Sequence, residues 1–126
     1  MISFDSFVPG DNVPIYLQIV DFVKRGIAAG TIADGAEMPS RRMLSALLGV
    51  NPNTVQKSYA MLEEQGLIHS RSGAKSSVAA DEATIRSLRA ELLEDRVKSI
   101  IADMKQLGLT LEEAQEALKT HWEVQP

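Results

Sequence analysis

Between Met38 and Leu62 the chain carries no acidic residue, but it does carry Arg41, Arg42 and Lys57 together with Asn51, Asn53, Thr54 and Gln56. Amides and hydroxyls of this kind donate to and accept from the edges of bases, while guanidinium and ammonium groups meet phosphate. Spacing decides whether they can act together. If the stretch after Asn51 is helical and Val55 faces inward, about 100° per residue sets Asn53 and Lys57 on the opposite face, with Thr54 and Gln56 at its flanks. A helix that enters the major groove presents the side chains of its first turns to the bases. A plain helical hairpin with a solvated polar face would have the same composition, so the surrounding elements have to decide between the two.

Other chemistry finds little support. His69 and His121 are isolated in the sequence, and Glu63-Glu64 and Glu112-Glu113 are adjacent pairs whose side chains diverge on a helix. There is no cysteine, which removes thiolate catalysis, thiolate metal sites and disulfides and suits a reducing interior. No glycine-rich phosphate loop and no metal-ligand spacing is present. The expectation is a protein with no catalytic residue, no metal and no cofactor.

The elements that must position the polar face can be read in turn. Ser40 is placed to cap a helix carrying Leu44, Leu47 and Leu48, and Gly49 ends that helix. Asn51 then caps the next helix, with Pro52 at its first position and Val55, Tyr59 and Leu62 as its buried stripe. Two short helices around a glycine-containing turn form a helix-turn-helix pattern. Ahead of them, Ile15, Ile19, Val23 and Ile27 predict an amphipathic helix over about 14–29, with Phe4 and Phe7 packing in the lead-in. Thr31 to Met38 reads as a loop anchored by Ile32 and Met38. After them, Leu67 to Ala80 reads as a short hairpin turning near Ser72 to Lys75, with Arg71 and Lys75 placing positive charge on it. Three helices followed by a hairpin is the order of a winged helix-turn-helix.

Composition agrees and marks a boundary. The 44% hydrophobic and 24% charged residues are globular values, and no apolar run approaches the ~20 residues of a membrane span. The first ten residues lack the pattern of a signal peptide, so a cytoplasmic protein without membrane contact is expected. The net charge of −4 is uneven: residues 1–80 hold seven basic and seven acidic residues, whereas residues 81–126 hold six and ten. Local field, not total charge, decides where phosphate can dock. From Asp81 onward, Leu88, Leu92, Val97, Ile100, Ile101, Met104 and Leu107 form the stripe of a long helix that Asp81 or Thr84 could cap. Gly108 ends it, and Thr110 with Glu113 starts another helix lined by Leu111, Ala114, Leu118 and Trp122. Two helices bury two apolar faces poorly without a further partner, so this tail reads as a dimerisation arm. Leu88, Leu92, Ile100, Ile101, Met104, Leu111, Leu118 and Trp122 are its contact residues.

The whole order resembles the GntR family of bacterial transcription regulators, and within it the short YtrA-type branch. The resemblance is carried by P-I-Y-L-Q-I at 14–19, G-T-I-A-D-G-A-E-M-P-S-R-R-M-L-S at 30–45, L-G-V-N-P-N-T-V-Q-K-S-Y-A-M-L-E-E-Q-G-L-I at 48–68 and the tail at 92–114. It implies a dimer that binds an inverted repeat of double-stranded DNA, usually as a repressor. By motif, Arg42 falls at the family arginine of the second helix. Asn51, Asn53, Thr54 and Gln56 fall on its recognition-helix contacts, and Gly73 on its wing glycine. Ser40, Arg41, Lys57, Arg71 and Lys75 complete the expected DNA surface. Other branches of the family carry a large effector domain after the wing, for which this chain has no room, and any small-molecule effector is unidentified. One departure stands out: the family wing usually runs Gly-x-Gly-Thr-Phe-Val, whereas this chain reads Gly73-Ala74-Lys75-Ser76-Ser77-Val78. The expected fold is mainly α (α+β): a winged helix-turn-helix over 1–80 and a two-helix dimerisation region over 81–126. The rival reading is a winged-helix interaction module that has lost DNA binding, for which the altered wing is the best support.

Overall fold

The computed structural model describes residues 1–10, 12–71 and 75–124, with the side chain of Arg71 outside the description. The expected turn at residues 72–74, and with it Gly73, lies outside the described residues.

The core is built on α1 (Ile15–Ala29), whose apolar residues at helical spacing, Ile19, Val20, Val23 and Ile27, are all buried. Pro14 precedes its first residue, and Gly30 ends it in a left-handed conformation at φ 83°. Gln18 ties the lead-in down: its amide nitrogen donates to the carbonyls of Gly10 and Val13, and its oxygen accepts from the Gly10 N–H. Phe4 and Phe7 pack as expected, Phe4 stacking on Phe22 at 4.9 Å and Phe7 meeting the same ring edge-on at 5.5 Å. Gly26 is required by close approach, because a Cβ there would collide with the Ile32 side chain.

Two further helices follow, α2 (Arg41–Leu48) and α3 (Pro52–Glu64), joined at Gly49, which is left-handed at φ 66°. Leu44 is buried in α2, and Val55, Ser58, Tyr59 and Leu62 are buried in α3. Leu47 corrects the expected stripe: it is 64% exposed, because only one side of so short a helix faces the core. Strands β1 (Ile68–Arg71) and β2 (Lys75–Val78) form the expected antiparallel hairpin, with Ile68 opposite Val78 and Arg71 opposite Lys75. The segment before α2, read from sequence as a plain loop, does more. Glu37 bridges to Ser77, the Met38 N–H donates to the Ser76 carbonyl and the Val78 N–H donates to the Ala36 carbonyl. It therefore lies along β2, paired through an isolated bridge, and the residues just before α2 are fixed to the wing.

The chain forms two compact units, Met1–Arg89 and Ala90–Pro126. Helix α4 (Glu82–Gln106) begins in the first unit, capped by Asp81, whose carboxylate accepts the Thr84 N–H at 2.8 Å. Leu88 is 4% exposed, and Arg89 donates to the Ala28 carbonyl at 2.6 Å. Leu88 is thus spent on the core of the first unit, which corrects its expected place on a dimer surface. In the second unit, α5 (Leu111–Trp122) starts with the expected capping box between Thr110 and Glu113 and buries none of its residues. No described helix is long and apolar enough to cross a membrane.

Candidate nucleic-acid interface

The corner between α2 and α3 is over-determined. Ser45 donates its hydroxyl to the Val50 carbonyl at 2.6 Å, and the Val50 N–H donates back to the Ser45 carbonyl. Tyr59 reaches from α3 to donate to the Pro39 carbonyl at 2.6 Å, holding the residues just before α2. Burial pushes the Tyr59 hydroxyl far above the ordinary phenol range, against the opposing pull of Arg41, so it remains a donor at any physiological pH.

Helix α3 presents the polar face expected of it. Asn51, Asn53, Gln56 and Lys57 are exposed, and Thr54 is half-buried. Asn51 is also the cap, its side-chain oxygen accepting the Asn53 N–H at 2.8 Å, so that oxygen is engaged within the fold. Ser40 does the same for α2, accepting the Met43 N–H at 3.0 Å. The two neighbouring arginines diverge. Arg42 is exposed, whereas Arg41 is half-buried with its guanidinium 5.0 Å from the centre of the Tyr59 ring. The Arg41 Nε is sealed from solvent without a hydrogen-bond partner among the described residues. Arg41 is therefore partly a structural residue, and Arg42 is the freer of the two cations.

Two contacts escaped the sequence reading. Ser58 is fully buried, and its single hydroxyl proton is shared between the Tyr16 carbonyl at 3.0 Å and the Thr54 carbonyl at 3.1 Å. Lys57 lies with its ammonium 4.0 Å from the centre of the Tyr16 ring. The available signal was Ser58 itself: a polar residue in register with Val55, Tyr59 and Leu62 must find a partner inside the core.

On the wing, Lys75 is exposed and Ser76 is buried, its hydroxyl 3.3 Å from that of Ser70. The Ser70 N–H donates to Glu63 at 3.3 Å, which ties the hairpin to the end of α3. The expected contributions of Gly73 and of the Arg71 side chain lie outside the described residues. In the second unit, Ile100, Ile101, Leu111, Leu118 and Trp122 are exposed, and Leu92 and Met104 are half-buried. Leu93, Val97 and Leu107 are exposed as well.

Residues 15–78 match the family described as bacterial regulatory proteins, gntR family. The chain is similar to the HTH-type transcriptional repressor YtrA of Bacillus subtilis (strain 168), 31% identical over 120 residues that cover 94% of this chain and 90% of that one. It is similar to the solved structure of a GntR family transcriptional regulator from Listeria monocytogenes, with a TM-score of 0.81, 32% identity and coverage of 89% of this chain and 98% of that one. It is also similar to the DNA-binding domain of AraR, solved in complex with operator ORX1, with a TM-score of 0.51, 28% identity and coverage of 57% of this chain and 92% of that one.

Proposed function

The chain belongs to the GntR family of bacterial regulatory proteins, in line with its likeness to YtrA, and from that premise we propose that it is a sequence-specific DNA-binding transcriptional regulator that acts as a repressor. The observation that carries this reading is the exposed polar face at the start of α3, held by a locked helix-turn-helix corner and set in a segment free of acids. Asn53 and Gln56 are suited to base edges, Arg42 and Lys57 to phosphate, and Lys75 to the backbone beside the wing. Asn51, Thr54, Ser40 and Arg41 support the same surface, the first and third through their caps. The operator-bound structure of the AraR domain and the name of YtrA as a repressor support the reading by likeness.

The regulator acts as a homodimer on an inverted repeat. Support comes from the second unit, where Leu93, Val97, Ile100 and Met104 follow one another at spacings of four, three and four along α4, and Leu107 continues the series just past its end. That alternation is the seam of a coiled coil, and a free helix has no use for it in water. Ile101, Leu111, Leu118 and Trp122 extend the apolar surface. A two-fold dimer buries one patch twice and sets two reading helices about one DNA turn apart, ~34 Å, as a palindromic operator demands.

A mobility shift with promoter DNA of the protein's own gene, run at two salt concentrations, tests the DNA reading. Affinity should fall steeply as salt rises, since phosphate contacts release counterions. Association that is weak and indifferent to salt would instead favour an interaction module on the same fold.

A further inference from the structure

The sequence holds two tyrosines, and each lies beneath a cation of the proposed interface: Tyr59 beneath Arg41 and Tyr16 beneath Lys57. Tyr59 is a core residue whose hydroxyl is committed to Pro39. Tyr16 is different. It stands in the first turn of α1, half-buried, and two successive residues of the reading helix grip it. Ser58 donates its buried hydroxyl to the Tyr16 carbonyl at 3.0 Å, and Lys57 sets its ammonium 4.0 Å from the Tyr16 ring centre. The Ser58 bond fixes where Tyr16 sits, and the ring then restricts where Lys57 can go.

A lysine on an open helix face ordinarily samples many rotamers, because its stem is long and flexible and its head is strongly hydrated. The negative face of an aromatic ring attracts the ammonium without neutralising it. With the charge intact, the N–H donors turned away from the ring face remain able to bind an oxyanion. Holding the charge in place before binding lowers the ordering cost when a phosphate arrives. A cation held over α1 also cannot sweep along α3 in search of a base.

We propose that Tyr16 is a positioning residue for DNA binding, holding the Lys57 ammonium ready for a backbone phosphate so that Lys57 supplies affinity and salt dependence but no base preference. The proposal rests on the DNA-binding reading above.

The test measures affinity for operator and for unrelated DNA over a range of salt, using the full chain and the variants Tyr16→Phe, Tyr16→Leu, Lys57→Ala and the double variant Tyr16→Leu/Lys57→Ala. Tyr16→Leu should weaken binding to both DNAs by a similar factor, about 3- to 10-fold, and flatten the salt slope toward that of Lys57→Ala, which loses about one phosphate contact. The double variant should bind no more weakly than Lys57→Ala, and Tyr16→Phe, which keeps the ring, should match the wild type. Wild-type affinity and slope in Tyr16→Leu, or losses that add fully in the double variant, would overturn the proposal. So would a loss confined to operator DNA, or an equal loss in Tyr16→Phe, which would point to the hydroxyl. If Tyr16→Leu does not fold, the wild type decides: the Lys57 ε-methylene proton resonances should be shifted upfield by the ring, and unshifted resonances overturn the clamp. A wild-type protein that binds no DNA in a salt-dependent way removes the DNA reading itself. A binding wild type with a Tyr16→Leu variant indistinguishable from it removes only the role of Tyr16.

Discussion

At the scale of single residues, the proposed interface separates cations that are free from cations that are committed. Arg42 is exposed and unencumbered by the ring contact that holds Arg41. Arg42→Ala should weaken operator binding by about 1 kcal/mol or more, as loss of a charge-assisted contact does, with circular dichroism unchanged. Asn53 and Lys57 share a helix face but differ in chemistry. Asn53→Ala should relax base preference at one position of each half-site, whereas Lys57→Ala should lower affinity on all sequences. Binding to a panel of single-base operator variants separates the two, and equal losses across the panel would show that the side chains are wrongly sorted. Tyr59→Phe tests the fold rather than the surface. It leaves the buried Pro39 carbonyl without its donor, and denaturant titration should show about 1–3 kcal/mol of lost stability.

At the scale of elements, the helix junctions are fixed by caps and by backbone conformation. Gly49 is left-handed, and a Cβ there would meet nothing within 4 Å, so the cost of Gly49→Ala is conformational alone. It should destabilise the first unit by about 1–2 kcal/mol in thermal or denaturant unfolding, and no loss would mean that the corner tolerates another turn geometry. The start of α4 is pH-sensitive in a defined direction. The Thr84 N–H hydrogen bond holds the Asp81 carboxyl below its ordinary 3.8. A depressed folded value means that the stabilisation is fully present above 3.8 and is lost as pH falls through the lowered value. An NMR titration of the Asp81 carboxyl should therefore give a midpoint below 3.8, and a midpoint at or above 3.8 would remove the cap.

At the scale of the whole molecule, the uncovered apolar surface is the dominant fact. Leu93, Val97, Ile100, Ile101, Leu107, Leu111, Leu118 and Trp122 are exposed within a unit whose helices, among the described residues, are the rest of α4 and α5. Each such side chain would contribute about 1.5–3 kcal/mol if a second copy buried it fully. Light scattering of the full chain should give a dimer, and Ile100→Glu, which sets a charge in the α4 seam, should give a folded monomer that binds only half-sites. Truncation for the same purpose belongs after Arg89 rather than after Ala80, because Leu88 and Arg89 are part of the first unit. A full chain that remains monomeric would mean that some other partner covers the arm.

Local signals determined much of this protein. Periodicity named Ile19, Val23 and Ile27 of α1 and the apolar buried residues of α3, and Ser40, Gly49, Asn51, Pro52, Thr110 and Glu113 marked helix ends, because caps and left-handed glycines act within a turn or two of their own position. The polar face of α3 was legible for the same reason: helix geometry alone separates Asn53 and Lys57 from Val55. Tertiary structure decided everything that joins residues far apart in the chain. It withdrew Leu88 into the core, left Leu47 outside it, laid the segment before α2 along β2, and set Arg41 on Tyr59 and Lys57 on Tyr16. A helical period says that a side chain faces inward or outward, but which distant group it meets there depends on how the elements are docked. That is why the polar face could be read from the sequence and the tyrosine platforms beneath its cations could not.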